Sequence, residues 1–426
     1  MKVAIIGAGC SGITTIKNML DVGIEDIICY EKSHRIGGNW VYSPESTHSS
    51  VMETTHIISS KKLSAFEDFP MPKEYPDYPS HRQILQYFED YTRRFNLTEH
   101  IRFNTSVIKV EKTKDDKWKL YLSDGSMDDR IDFLLVANGH HSEPRHWQIP
   151  GGFSGEYLHS HDVKNNRRFE GKRVLVIGAG NSACDCAVEC SRVAKEVFIS
   201  IRRPQYIIPK FIMGRPSDSF NEVMKYVPMR IADPLRKFSL RLQIGRYEYY
   251  GLKTPDFPVT KDHPTINSEL LYMLRHGKIT AKPGIESVSG CTVKFIDHTS
   301  HDFDAIIAAT GYKISMPFFD KDFIDYSEAD EVNLYLRMFH PEHKNLIFIG
   351  LVQPQGAIWP LSEQQAKLAA QYIKGNWSLP KNIEELAEKE TKKISQSFLK
   401  RKRHTLEVHY SPYLNKLKSE LKRAKK

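Results

Sequence analysis

Two ten-residue segments carry residue types and spacings that bind phosphate. Val3-Ala4-Ile5-Ile6-Gly7-Ala8-Gly9-Cys10-Ser11-Gly12 and Val174-Leu175-Val176-Ile177-Gly178-Ala179-Gly180-Asn181-Ser182-Ala183 each run from four apolar residues into a glycine turn. In such a turn the first glycine allows the tight bend. The second lets backbone approach a pyrophosphate, and the third lets helix and strand pack closely. The pyrophosphate then rests on the free N–H groups at the helix N-terminus. Ala183 in place of a third glycine is the looser form that this pattern admits. Two copies in one chain point to two dinucleotides held together, and so to electron transfer between them.

The elements around the turns must place the ends of those dinucleotides. An unbroken Val/Ile run fits a strand buried on both faces of a parallel sheet. After the first copy, Ile27–Tyr30 reads as the second strand and ends at Glu31, about twenty residues beyond Gly12. A carboxylate there accepts from a ribose 2′-OH. Gly37-Gly38-Asn39-Trp40 reads as a flexible turn able to approach another part of the same molecule. The second copy continues through Val197–Ile201 into Arg202 and Arg203. Arginine at that position suits a 2′-phosphate. The residues therefore predict FAD in the first cradle and NADPH in the second.

Elsewhere the pattern predicts a helix over 83–95. Strands are expected over 102–110, 118–122 and 131–136, with an Asp124-Gly125 hairpin turn. Residues 41–80 read as an irregular excursion, and loops of that length are usually functional. Residues 141–172 read as a linker, and 204–260 have no clear assignment. Strands over 304–309 and 346–350 and a helix over 362–374 complete the pattern. The expected fold is α/β with two Rossmann-like dinucleotide-binding domains. An NADPH-binding domain (163–304) is nested within a discontinuous FAD-binding domain (1–162 and 305–426).

The 426 residues allow two or three domains with sizeable cores. The net charge of +9 is localised. Residues 391–426 hold twelve Lys or Arg against Glu407 and Glu420, so the rest is nearly neutral. This basic C-terminal tail reads as a solvated helix, and no nucleic-acid partner is expected. The six cysteines contain no Cys-x-x-Cys and no metal spacing, which fits buried, reduced thiols. No metal is expected. With a strand starting near Lys2 and no apolar run of membrane-spanning length, a cytoplasmic protein without a transmembrane anchor is expected.

The chain resembles the flavin-containing monooxygenases (class B flavoprotein monooxygenases) over essentially its whole length. Phe153-Ser154-Gly155-Glu156-Tyr157-Leu158-His159-Ser160 fits the family signature F-x-G-x-x-x-H-[S/T]. Gly178-x-Gly180-Asn181-Ser182, Ala309-Thr310-Gly311-Tyr312, Gly37-Gly38-x-Trp40 and Gln353-Pro354-x-Gly356 look like its other hallmarks. The resemblance implies an NADPH- and O2-dependent oxygenation of a small-molecule amine nitrogen or sulfide, through a C4a-hydroperoxyflavin stabilised by NADP+. FAD contacts are then expected at Gly7, Gly9, Cys10, Ser11, Gly12, Glu31, Lys32, Gly38, Asn39, Trp40, Val107, Gly139 and Gln353. NADP contacts are expected at Gly178, Gly180, Asn181, Ser182, Ala183, Arg202 and Arg203. His159 is expected to be structural rather than a catalytic base.

One departure bears on activity. The segment in which the family places Thr-Asn-Thr/Ser over the flavin reads here Ile57-Ile58-Ser59-Ser60. Ile58 then replaces a side-chain amide, and Ile58, Ser59 and Ser60 are the pocket candidates. No catalytic residue is assigned with certainty. An uncoupled NADPH oxidase is therefore one alternative. Baeyer–Villiger oxygenation of ketones is another, opposed by Val163 where that related signature has an aromatic. A disulfide-type reductase would need a paired thiol that the sequence lacks. Vertebrate-type members also carry an apolar C-terminal anchor, which the basic ending here replaces. A homodimer is left open.

Overall fold

The computed structural model describes residues 1–220, 227, 229–401 and 404–424. Lys402, Arg403, Lys425 and Lys426 of the basic tail, and 221–226 and 228 of the unassigned stretch, lie outside the described residues. In chain order the elements that matter begin with β1 (Val3–Ile6), α1 (Cys10–Asp21), β2 (Ile27–Tyr30) and α2 (His81–Arg94). Then come β3 (Ile101–Arg102), β4 (Val107–Lys112), β5 (Trp118–Leu122), β6 (Met127–Ile131) and β7 (Phe133–Val136). They continue with β8 (Glu156–His159), β9 (Arg173–Ile177), α3 (Asn181–Cys190), β10 (Glu196–Ser200) and α4 (Met229–Ile244). The last are β11 (Thr280–Lys282), β12 (Ala305–Ala308), β13 (Leu346–Phe348), α5 (Trp359–Lys374) and α6 (Tyr410–Arg423).

The chain forms two compact units. The first (1–41, 59–143 and 313–426) is built on a parallel sheet ordered β13-β7-β1-β2-β3. Strand β1 pairs in register with β2 (Val3 with Ile27) and with β7 (Val3 with Phe133). Every residue of β1 is buried, as its unbroken apolar run requires. The antiparallel sheet β4-β5-β6 contributes Val110, Trp118 and Leu120 to one core with Ala4, Ile6, Leu134 and Phe348. Helices α1 and α5 pack together.

The second unit (42–58 and 144–312) has a parallel sheet ordered β11-β10-β9-β12-β8. Its cores lie on Val174, Val176, Ala187, Ile199 and Ile307 and on Leu175, Phe295, Phe303 and Ile306. The alternation follows from neighbouring side chains leaving a strand on opposite faces.

Several boundaries differ from the sequence reading. The expected linker 141–172 supplies β8, which pairs in parallel with β12 (Ala305 with Glu156). Residues 42–58, 144–162 and 305–312 therefore belong to the second unit, not to the first as the expected bounds had it. The single strand expected over 102–110 breaks in two, because Asn104 takes a left-handed conformation at φ +52°. The strand expected over 131–136 is interrupted at Asp132, whose carboxylate accepts the backbone N–H of Lys2 at 2.7 Å.

The hairpin turn at Asp124-Gly125 forms, with Gly125 at φ +82°. The described part of the basic tail is not a solvated helix. Leu417 of α6 is buried, and the Tyr413 hydroxyl donates to the Leu336 carbonyl at 2.6 Å.

Candidate functional site

The first cradle follows from what the glycines make room for. A Cβ on Gly7, which sits at φ +99°, would stand 2.9 Å from the carbonyl oxygen of Ala137 at the end of β7. A Cβ on Gly12 would lie 1.9 Å from the Gly7 carbonyl oxygen, so nothing larger than glycine fits. Gly9 and Gly38 face each other across a similar gap, with a Cβ on Gly38 only 3.2 Å from the Gly9 Cα. Cys10, Ser11 and Gly12 form the first turn of α1, whose N–H groups have no partner within the helix. The Ser11 hydroxyl donates to Ser362 of α5 at 3.1 Å, which fixes the helix start.

Glu31 is buried just past β2 and accepts two backbone N–H bonds, from Ala8 at 2.7 Å and Ser33 at 2.8 Å. Burial raises its pKa, while those donors and the neighbouring Lys32 pull it down. Each carboxylate oxygen keeps acceptor capacity beyond its one backbone donor. A dinucleotide ribose hydroxyl can use it.

Of the remaining expected contacts, Gly38 stands beside the same turn, and Gly139 follows Asn138, whose Cα a Cβ on Gly7 would meet at 3.2 Å. Gly38, Asn39 and Trp40 form one 3₁₀ turn, and Trp40 meets Trp359 edge-on at 5.5 Å. Val107 opens β4 inside the apolar core, so only its backbone can serve a ligand. Gly139 has φ +74°, and the next residue, His140, bonds through Nε2 to Gln353 at 3.2 Å. Burial lowers the His140 pKa, so the ring is neutral at pH 7. The thiol of Cys10 is pushed up to about 11 by burial, which leaves it protonated and unreactive. All six cysteines are free, and the described residues contain no metal-binding cluster.

The second cradle repeats the backbone and changes the side chains. A Cβ on Gly178 would stand 2.6 Å from the Ala309 carbonyl at the end of β12, matching Gly7 and Ala137. Space beside Gly180 is open. Ala183 is fully buried and takes the third position without conflict. The Asn181 side-chain carbonyl is already committed: it accepts the Ile266 N–H at 2.8 Å, and Thr265 donates to the Ala179 carbonyl at 2.5 Å. This pinning strand segment is absent from the sequence reading, since no local pattern links residues so far apart.

Ser182 is exposed at the helix start. Arg202 and Arg203 are exposed just past β10 and have no ion pair among the described residues. The Arg202 stem packs on Gly284, where a Cβ would be 3.4 Å from its Cγ.

His159 is 1% exposed and its Nδ1 accepts the His161 N–H at 3.1 Å, closing the turn after β8. Burial, with the nearby His146 and His161, lowers its pKa to about 4. A ring that stays neutral and caps a turn is structural.

The three pocket candidates are consecutive residues that straddle a boundary between the two units. Ile58 is half-buried at the end of a second-unit segment, whereas Ser59 and Ser60 start a first-unit segment. Ser59 bonds Ser64 through their hydroxyls at 2.8 Å. Val163 lies in the second unit's core. Among the described residues no helix is long and apolar enough to cross a membrane.

A further duplication was legible but easily passed over. Ala137-Asn138-Gly139 and Ala309-Thr310-Gly311 follow the strands that flank the two cradles, and their alanine carbonyls meet Gly7 and Gly178.

The family model for flavin-binding monooxygenase-like proteins matches residues 1–425. The chain is 36% identical to flavin-containing monooxygenase 5 of Mus musculus over 433 residues, covering 96% of this chain and 80% of that one. It is 34% identical to dimethylaniline monooxygenase [N-oxide-forming] 2 of Rattus norvegicus over 448 residues, covering 99% and 82%. The solved S-allyl-L-cysteine S-oxygenase of Allium sativum shares its fold, with a TM-score of 0.75 at 24% identity, over 99% of this chain and 88% of that one. With two Rossmann-type sheets, two glycine cradles and a family match along its length, this chain belongs to the flavin-containing monooxygenases.

Proposed function

We propose that the chain is an NADPH- and O2-dependent monooxygenase of soft nucleophiles, amine nitrogen or sulfide sulfur, with FAD on the first unit and NADPH on the second. Bound FAD supplies the oxygen-activating centre and NADPH the hydride that reduces it. The chain's own work is to bind, orient and exclude water. Gly7, Gly9 and Gly12 clear the path for a pyrophosphate, the α1 N–H groups receive it, and Glu31 holds a ribose. Gly178, Gly180 and the start of α3 do the same in the second unit, and Arg202 and Arg203 meet the 2′-phosphate.

The observation that carries this reading is the contrast between the cradle ends: a buried acid in one, two exposed unpaired arginines in the other. The substrate class is supported by two similar proteins, one named N-oxide-forming and one an S-oxygenase. The test is product, peroxide and NADPH counted together with a tertiary amine and a thioether. N-oxide or sulfoxide formed with NADPH consumption supports the proposal; a lactone from a cyclic ketone, with neither, would replace it. Val163, packed in the core at 1% exposure, opposes that ketone reading. Ile58, with no donor, favours a second outcome, in which NADPH oxidation yields peroxide alone.

A further inference from the structure

A row of buried, hydrogen-bonded groups runs from the C-terminal helix α6 to the first cradle, and all of it lies in the first unit. Gly350 follows β13 at φ +79°, and a Cβ there would stand 2.2 Å from the Ser11 hydroxyl and 3.1 Å from that of Ser362. Its backbone therefore lies directly against the first turn of α1. The Gly350 N–H donates to the side-chain carbonyl of Gln365 in α5 at 2.8 Å. The Gln365 amide nitrogen donates to the hydroxyl of Tyr413 in α6 at 2.7 Å, and that hydroxyl donates to the Leu336 carbonyl at 2.6 Å. All four residues are buried.

The two ends fix the direction of the row. A backbone N–H only donates and a carbonyl only accepts, so each side chain between them must accept on one side and donate on the other. An amide and a phenol meet that demand. A carboxylate at 365 or a phenyl ring at 413 does not. The far end is held in an unusual backbone: Leu336 and Arg337 lie at φ +51° and +55°, which residues with side chains rarely adopt. The Leu336 N–H donates to the Glu390 carboxylate at 3.0 Å. The buried Arg337 guanidinium donates to the Val332 and Thr405 carbonyls at 2.6 and 2.7 Å. The same stretch of chain backs a second expected FAD contact. The Gln353 N–H donates to the Leu406 carbonyl at 2.7 Å, and Gln353–Pro354 pairs in parallel with Glu407–Val408.

We propose that Gln365 and Tyr413 are positioning residues for the FAD site: through Gly350 they hold Ser11 and the free N–H groups of α1 where the pyrophosphate is received. They act through the Gly350 backbone and not by touching the cofactor. This inference rests on the reading that FAD fills the first cradle.

The test is release of FAD from the full-length holoenzyme, followed by flavin fluorescence on dilution, together with the visible circular dichroism of the bound flavin. Tyr413→Phe and Gln365→Met each leave a buried polar group without its partner. Each should weaken FAD binding by about tenfold and alter the flavin dichroism. The double variant should lose no more than either single one, because both break the same row. Leu417→Ala is the control: it removes a fully buried side chain of α6 outside the row. It should lower stability in urea while leaving FAD affinity and dichroism unchanged. Wild-type FAD binding in Tyr413→Phe and Gln365→Met would overturn the positioning role and leave the FAD reading intact. Additive losses in the double variant, or a Leu417→Ala chain that releases FAD as readily as Tyr413→Phe, would also overturn it. A wild-type chain that takes up no FAD sinks the FAD reading and this inference with it. Should Gln365→Met fail to fold, Tyr413→Phe, which removes a single oxygen, decides against the Leu417→Ala control.

Discussion

The two cradles share a backbone and differ in nearly every side chain that could touch a ligand. In both, the first glycine sits against an alanine carbonyl at the end of the neighbouring strand, Ala137 in one and Ala309 in the other. That carbonyl marks the topological switch point of each sheet, where α/β folds bind ligands. The third position then separates them. Gly12 has 1.9 Å of clearance to backbone, whereas Ala183 fits with its methyl buried. The ends separate them further: Glu31 is enclosed and held by two N–H groups, while Arg202 and Arg203 stand in solvent. On the proposed function, this difference suits one site to enclose its ligand and the other to admit an exchangeable, more highly charged one.

The sharpest way to break the comparison is at the third position. Gly12→Ala should disrupt the first cradle by about 3 kcal/mol, an overpacking cost against rigid backbone. Flavin-to-protein absorbance should fall accordingly. Ala183→Gly should cost no more than about 1 kcal/mol, the helix-propensity difference. Equal losses in the two variants would mean that the cradles are not unlike at this position.

Next in size is Glu31→Ala, which leaves two backbone donors unpaired in a buried site. We expect FAD retention to weaken by roughly tenfold or more, with NADPH affinity of the remaining holoenzyme unchanged, as read by equilibrium dialysis. The mirror experiment is Arg202→Ala. The KM for NADPH should rise by about tenfold while that for NADH stays level, as expected when a charge-assisted phosphate contact is lost. An equal rise for both cofactors would remove Arg202 from the 2′-phosphate.

Ile58→Asn is expected to change the product formed per NADPH, and an unchanged ratio would take Ile58 out of the active site.

A separate effect concerns pH. His159 is held down to about 4 against an ordinary value of 6.5, so the unfolded chain binds a proton that the folded ring refuses. Its contribution to stability is present above pH 6.5 and is lost as pH falls through about 4. His159→Gln should flatten the dependence of Tm on pH across that window, whatever it does to Tm at pH 7.

What the sequence disclosed was local. A buried parallel strand, a glycine turn and a charged residue at the next strand end are contiguous features, and both cradles could be read from them. The structure adds that the Asn181 side-chain carbonyl accepts the Ile266 N–H, a pairing across many residues that no spacing announces. Strand β8 was hidden for a related reason. It lies at a sheet edge, three of its four residues are only half-buried, and Pro and Gly precede it, so it reads as connection. Helix α4 was obscured by the opposite signal: apolar residues on both faces and Pro234 within it blur the period of an amphipathic helix.

On the proposed function, two unlike nucleotide cradles cooperate in one chain. Anaerobic titration of the purified protein tests it directly, followed by flavin absorbance with NADPH and then NADH. The expected result is a yellow protein with one FAD per chain, bleached at much lower NADPH than NADH. A colourless protein that takes up no FAD, or bound flavin that neither nicotinamide reduces, would contradict it.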